Sequence, residues 1–345
     1  MKAAVFHGSG ELRVDSVPQP RPGPDEVLVR VHRCGICGTD LHIVGGSFRT
    51  PNLPLIIGHE FAGEVVEAGP DAGDLKPGDR VTADINIACG RCYFCRKRSK
   101  LFCPSIRQLG VHTHGGMAEY VAVPAANVYR LPGGMSFEQG AYVEPLSCAI
   151  HGQRRVGVDF GDTVAIIGAG SMGLAHVALS KLSGAGQVIV TEPHEGRRAL
   201  AQRLGADLVL DPTGADVPAA VADATDGRGA DVVIEAVGAV ATYADAFAMV
   251  RAGGRLLAFG ATAPDADLVI QPFDIFAREL TIVGSYASAY EAWPDAISLI
   301  ESGAFDPGLI VDSVRPLSAI GEAFEELTGA SPLVKAQVDT LDGAA

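Results

Sequence analysis

The 345-residue sequence contains no apolar run approaching the ~18 residues that a membrane span requires. Its opening, MKAAVFHGSGELRV, lacks the basic stretch leading into an apolar core that directs export. Positive charge is also scarce: 27 Lys and Arg stand against 41 Asp and Glu, a formal net charge of −14. A field of that sign repels phosphate backbones and argues against a nucleic-acid partner. Cysteine is thin, seven in 345 residues. That is far below the density of small secreted scaffolds stapled by disulfides, and a chain of this length buries a core without staples. There is no repeat of fixed period and no low-complexity segment. These absences predict a cytoplasmic globular protein that takes a small-molecule partner, with no nucleic acid and no membrane.

What is present is concentrated. Four of the seven cysteines fall in CGRCYFCRKRSKLFC, residues 89–103, with spacing C-x2-C-x2-C-x7-C. In a reducing compartment this pattern reads as metal before disulfide. Two short turns aim Cys89, Cys92 and Cys95 inward, and a longer loop returns Cys103. Four thiolates close a tetrahedron at zinc and leave no position for substrate, so the expected site is structural. The competing reading, a nucleic-acid finger suggested by the basic run RKRSK, conflicts with the net charge.

Length suggests about two domains. Residues 1–152 read as strands and turns, with EVLVRVHRCGI and FAGEVVEAG set between Gly/Pro punctuation such as RPGPDE and KPGDRV. From about 153 to 286 the texture changes to short apolar strands (TVAIIGAG, QVIVTE, DLVLD, DVVIEAVG, RLLAFG, ELTIVGSY) alternating with Ala/Leu-rich helical patterns. That alternation predicts an α/β fold, a doubly wound parallel sheet with helices on both faces. Residues 287–345 carry two helical patterns and the strand candidate VKAQVD, and are expected to return to the first domain.

Gly168-Ala169-Gly170-Ser171-Met172-Gly173 supplies G-x-G-x-x-G where an apolar strand ends and a helix begins. Glu192 follows nineteen residues after Gly173, at the expected end of the next strand. Glycines there permit a tight turn and close approach to a pyrophosphate, and the acid accepts from a ribose diol. Gly168, Gly170, Met172, Gly173 and Glu192 are therefore candidate dinucleotide-binding residues. Glu192 favours NAD, because a carboxylate would oppose a 2′-phosphate. Arg197 and Arg198 blunt that preference, since either could pair with such a phosphate or simply face solvent.

Of the remaining cysteines, Cys37 opens CGTDLH, and Gly58-His59-Glu60 lies about twenty residues on. A thiolate, an imidazole and a carboxylate from separate segments suit an open zinc site. The motifs GICGTDLH, PLIIGHEFAGEVVEAG, KPGDRV, the four-cysteine lobe, GGMAEYVAVP, YVEPLSCAIHG and IIGAGSMG together resemble the zinc-dependent medium-chain dehydrogenase/reductase family, in its sorbitol (polyol) and threonine dehydrogenase branch. The resemblance implies a GroES-like β-rich catalytic domain, completed by the C-terminal segment, with an inserted Rossmann domain and the active site in the cleft between them. It implies two zincs per chain. Cys37, His59, Glu60 and Glu144 match the catalytic set, with Glu60 an exchangeable ligand and Glu144 at the metal or one water away. Asp40 matches the partner of the His59 ring, and Thr39 and His42 the groups that carry the substrate proton to solvent. Cys148, one helical turn after Glu144, is expected to face the same way without binding metal.

The activity so implied is hydride transfer from a secondary alcohol to NAD, with a polyol or sugar alcohol the favoured substrate and a ketone the product. A 3-hydroxy amino acid such as L-threonine is the alternative substrate, and a non-catalytic zinc-stabilised NAD-binding protein the alternative class. The arginine that sorbitol dehydrogenases place ahead of their TWP motif is missing from Ser285–Pro294, so those substrate contacts do not transfer. His112 and His114 are candidates to replace them, or plain loop residues. The apolar last strand ELTIVGS predicts a covered edge and hence a homo-oligomer, a tetramer or dimer.

Overall fold

The computed structural model describes residues 1–288, 290–328 and 332–342; Ala289, in the segment before Trp293, lies outside them. The chain divides into two compact units, Met1–Ser147 with Ala289–Ala345, and Cys148–Ser288. The dividing line falls inside the helix Val143–Val156. No helix among the described residues is long and apolar enough to cross a membrane.

In the first unit the strand Glu26–Gly35 is central. Its valines Val27, Val29 and Val31 are fully buried, the period-two pattern of a strand with one face on a core. It pairs antiparallel with Glu60–Ala68, Tyr120–Pro124 and Lys335–Asp339, in a seven-stranded sheet that also holds Arg80–Ala83, Val128–Arg130 and Val311–Pro316. The C-terminal segment is therefore a structural part of this unit. Its helix Ile320–Leu327 presents Ile320, Ala323, Phe324 and Leu327, an i, i+3, i+4, i+7 stripe, to the same core.

The second unit holds a six-stranded, wholly parallel sheet. Its order is Leu208–Leu210, Gln187–Thr191, Thr163–Ile167, Ala230–Glu235, Val250–Ala258 and Thr281–Gly284. The order reverses at the first strand in sequence, so the carboxyl ends of Thr163–Ile167 and its neighbours open a crevice. All five residues of Thr163–Ile167 are buried, as a strand covered on both faces requires. The apolar strand after residue 280 lies at the sheet's edge, with Ile282 exposed.

His176, on the helix Ser171–Leu182, is fully buried with both ring nitrogens unpartnered, and meets Phe259 edge-on at 4.6 Å between ring centroids. Burial drives its pKa down to about 3. The unfolded chain takes up the proton near pH 6.5 and the folded one does not, so this side chain costs stability as pH falls below 6.5. At pH 4.5 the cost is roughly 3 kcal/mol. His176→Leu should therefore stabilise more at pH 4.5 than at pH 8 by about that amount, read from urea unfolding at the two pH values; equal shifts would show that His176 is not the group responsible.

Candidate active site

Cys37 is the N-cap of the short helix Gly38–Val44, and the Asp40 carboxylate accepts from the Cys37 backbone N–H at 2.9 Å. The other oxygen of Asp40 accepts from the Gly58 N–H at 3.3 Å and stands 3.4 Å from Nδ1 of His59. One buried carboxylate thus joins the two segments that carry Cys37 and His59. Gly58 has φ +90°, and a Cβ there would lie 2.4 Å from Met117 Cγ, so no other residue fits the turn that delivers His59. Glu60 starts the next strand opposite Gly35, where a Cβ would meet Glu60 Oε2 at 1.9 Å. Ligand atoms of Cys37, His59 and Glu60 all lie within 4.8 Å of one another.

Lys335 completes this group. Its strand lies against Glu26–Gly35, and its ammonium pairs with Glu60 Oε2 and donates to the Ile36 carbonyl at 2.9 Å. Lys335, His59, Glu60 and Asp40 are each at most 5% exposed. Burial opposes charge on His59, but the Asp40 carboxylate and Cys37 sulfur outweigh it and hold its pKa well above the ordinary imidazole value. Burial likewise opposes charge on Lys335, and Glu60 with Cys37 outweighs it. The pocket favours positive charge.

Thr39 and His42 share the helix with Asp40; Thr39 is half-buried, and His42 is exposed with Nδ1 at 3.0 Å from Ser47 Oγ. Glu144 is buried in the first turn of Val143–Val156 and is not part of the Cys37, His59 and Glu60 group. Cys148 is half-buried one turn along the same helix. The loop histidines are both held by backbone: His112 Nδ1 accepts from Gln108 N–H within its own loop and His114 Nδ1 from Ile56 N–H of a separate strand, both at 3.2 Å.

Cys89, Cys92, Cys95 and Cys103 form the second group, their sulfurs within 4.8 Å of one another. Cys92 and Cys95 are 3.5 Å apart and Cys89 and Cys95 4.0 Å. A tetrahedron of 2.3 Å Zn–S bonds has edges of about 3.8 Å, so this set fits zinc. Backbone N–H groups of Arg91 and Cys92 draw the Cys89 thiol down to about 6, while burial and the neighbouring thiols push Cys95 up to about 12. A divalent cation relieves that crowding. Beneath the lobe, buried Lys100 pairs with Asp84 and lies 4.2 Å from the Tyr290 ring centre.

In the parallel-sheet unit a cavity of about 410 Å³ is lined by Gly168, Gly170, Glu192, His194, Arg197 and residues of the strand ends beside them. Gly168 has φ +92°, and a Cβ on Gly173 would lie 1.9 Å from the Gly168 carbonyl. A Cβ on Gly170 would meet nothing within 4 Å. Glu192 is buried, with Oε2 accepting from Ala169 N–H at 2.8 Å and Oε1 from His194 N–H at 3.0 Å. Arg198 is held away by the Glu192 and Pro193 carbonyls and by Asp211, whereas Arg197 lines the cavity. Met172 is half-buried in the first turn of the helix.

Two family models match the chain: the alcohol dehydrogenase GroES-like domain over residues 23–133 and the zinc-binding dehydrogenase over residues 171–302. L-threonine 3-dehydrogenase of Pyrococcus abyssi is 38% identical over 94% of this chain and 93% of its own length. The chain belongs to the zinc-dependent medium-chain dehydrogenase/reductase family. Sorbitol dehydrogenase of Bacillus subtilis is 34% identical over 94% of this chain and 93% of its own. A zinc-binding dehydrogenase of Sinorhizobium meliloti 1021, solved bound to NADP, superposes with a TM-score of 0.94 at 37% identity over 98% of both chains. As a member of this family the protein is an oxidoreductase, with the GroES-like and Rossmann architecture expected from its motifs.

Lys335 and Lys100 were not foreseen from the sequence. The one available signal for Lys335 is a lone cation inside the apolar strand LVKAQV. Lys335→Met should leave the Glu60 charge buried and uncompensated, at a cost of about 3–5 kcal/mol in urea unfolding. Adding Glu60→Gln should recover much of the loss; a single variant as stable as the parent would show that the pair contributes nothing.

Proposed function

We propose that this dehydrogenase oxidises a secondary alcohol of the polyol or sugar-alcohol class with NAD, giving a ketone. The observation that carries the reading is the convergence of Cys37, His59 and Glu60 in a pocket that favours positive charge, in a chain that also holds a glycine-lined dinucleotide cavity. When bound, zinc supplies Lewis acidity and NAD the hydride acceptor. The chain's own residues do the rest. Asp40 orients the His59 ring, as such partners do for ligating histidines. Lys335 balances the charge of Glu60. Thr39 takes up the proton of the substrate hydroxyl, and exposed His42, three residues along the helix, releases it to water. Glu144 binds at the metal or through one water, and Cys148 packs beside it without binding metal. Glu192 accepts from the adenosine ribose, and Gly170 gives the pyrophosphate room at the helix N-terminus.

Threonine and sorbitol, named for two relatives, are both secondary alcohols with a heteroatom on the adjacent carbon. L-threonine is the second reading, favoured by the 38% identity. Its carboxylate would call for a cation, and the buried cation of this site, Lys335, is committed to Glu60. That favours the uncharged polyol. A screen of NAD reduction across polyols, L-threonine and simple secondary alcohols, with zinc measured on the same sample, tests the reading. Two zincs per chain and the highest kcat/KM on a polyol are expected. His59→Ala should abolish turnover, Cys95→Ser should lose one zinc and lower Tm, and Asp40→Asn should weaken retention of the catalytic zinc about 10- to 100-fold. One zinc or fewer in the parent would overturn the two-site assignment.

NAD should be preferred over NADP by at least about tenfold in kcat/KM, since Glu192 meets the 2′ position and Arg198 is tied down. Glu192→Gln should narrow that ratio. A parent preference for NADP would assign the 2′-phosphate to Arg197. We further propose that a second copy covers the edge strand Thr281–Gly284; on the preceding helix, Pro272–Ala277, Phe273 and Phe276 stand 69% and 77% exposed. Light scattering should report two or four times the 35.7 kDa chain mass; a monomer overturns it. Cysteines that form no disulfide among the described residues suit a reducing cytoplasm.

A further inference from the structure

The dinucleotide cavity has two chemically different parts. One is polar: the Gly168 and Gly170 turn and the buried Glu192. The other is apolar, contributed by Pro193, Pro212, Val217 and Val237, side chains of the kind a flat base packs against. Two carboxylates line the whole cavity, Glu192 and Asp245. Glu192 is already occupied by the Ala169 and His194 N–H groups. Asp245 is half-buried and has no hydrogen-bond or ion-pair partner among the described residues.

Its position is set by the helix Val240–Met249, on which Thr242 and Asp245 are three residues apart and share a face. Both line the cavity. The Thr242 hydroxyl is committed to Glu235 Oε1 at 2.7 Å and to the Ala239 carbonyl at 2.8 Å, which fixes the start of the helix. Of the cavity's two carboxylates, Asp245 is the one left to address whatever fills it. Burial and the nearby charge of Asp216 raise its pKa above the usual carboxylate value, so an N–H donor from a ligand would relieve an unfavourable charge.

We propose that Asp245 reads the base of the dinucleotide, accepting a hydrogen bond from the exocyclic amino group of adenine and rejecting bases with a 6-oxo group. The proposal rests on the dinucleotide reading above. A 6-oxo base turns an acceptor toward a carboxylate, and a site built to receive a donor discriminates strongly against a ligand that lacks one.

The test is equilibrium binding, by calorimetry, of NADH and reduced nicotinamide hypoxanthine dinucleotide, in which an oxo group replaces the 6-amino group and N1 carries a hydrogen. The parent should bind NADH about tenfold or more tightly than the hypoxanthine analogue. Asp245→Asn, whose amide can donate as well as accept, should bring the two within about threefold. Asp245→Ala should weaken NADH and leave the analogue unchanged or tighter. A parent that does not discriminate, or a ratio unaltered in both variants, overturns the role of Asp245 while the dinucleotide reading stands. A parent that binds neither ligand overturns that reading, and this proposal with it.

Discussion

The first unit is organised around the burial of negative charge. Cys37, Asp40 and Glu60 sit together with almost no exposure of the two carboxylates, and low dielectric makes such a grouping expensive unless cations answer it. One answer is internal, the ammonium of Lys335 on Glu60. The other is the site's preference for positive charge on or near His59, which is the electrostatic description of a cation site. The fold follows from supplying Lys335. Its strand must lie beside Glu26–Gly35, which pairs with Glu60–Ala68, so the last described strand of the chain has to return to a sheet begun near residue 26.

The cysteine lobe meets the same constraint in a different way. Tyr93 and Phe102 are 70% and 59% exposed there, so the lobe has little apolar core of its own. Lys100 and Asp84 anchor it to the sheet unit through a buried ion pair, extended by Asn86, which donates to Asp84 Oδ1, and Gln108, which donates to Asn86 Oδ1. Four thiols at tetrahedral spacing provide the remaining cohesion only when their protons are exchanged for a metal. Each donor cluster therefore rests on a buried lysine–carboxylate pair. In one the pair includes a member of the cluster, Glu60; in the other it holds the platform.

The local signals were legible in the sequence and the long-range ones were not. Cysteine spacing, G-x-G-x-x-G and the alternation of apolar strands with Ala/Leu-rich helices each depend on short stretches, and each gives the element observed. Lys335 and Glu60 meet through sheet register, which no spacing encodes, and a lone lysine is ordinarily a surface residue. Arg197 and Arg198 are adjacent in sequence and equal in composition. Only the helix phase tells that Arg198 turns to the Glu192 carbonyl while Arg197 faces the cavity. His112 and His114 looked equally free to serve substrate, yet both spend a ring nitrogen on backbone N–H groups, one of them from a strand 58 residues away.

The three glycines of the turn separate what a fold demands from what a ligand demands. Gly168 is required by its backbone, at φ +92°, and Gly173 by contact, since any Cβ would strike the Gly168 carbonyl. Gly170 is required by neither. Its φ is −71°, open to any residue, and its Cβ would project into empty space. No packing or turn explains why the smallest side chain stands there. The position makes sense once a group must approach the backbone N–H donors at the start of Ser171–Leu182, a helix whose first turn holds no acidic residue of its own. A glycine that the protein itself does not need leaves the backbone N–H donors of that helix open to a ligand.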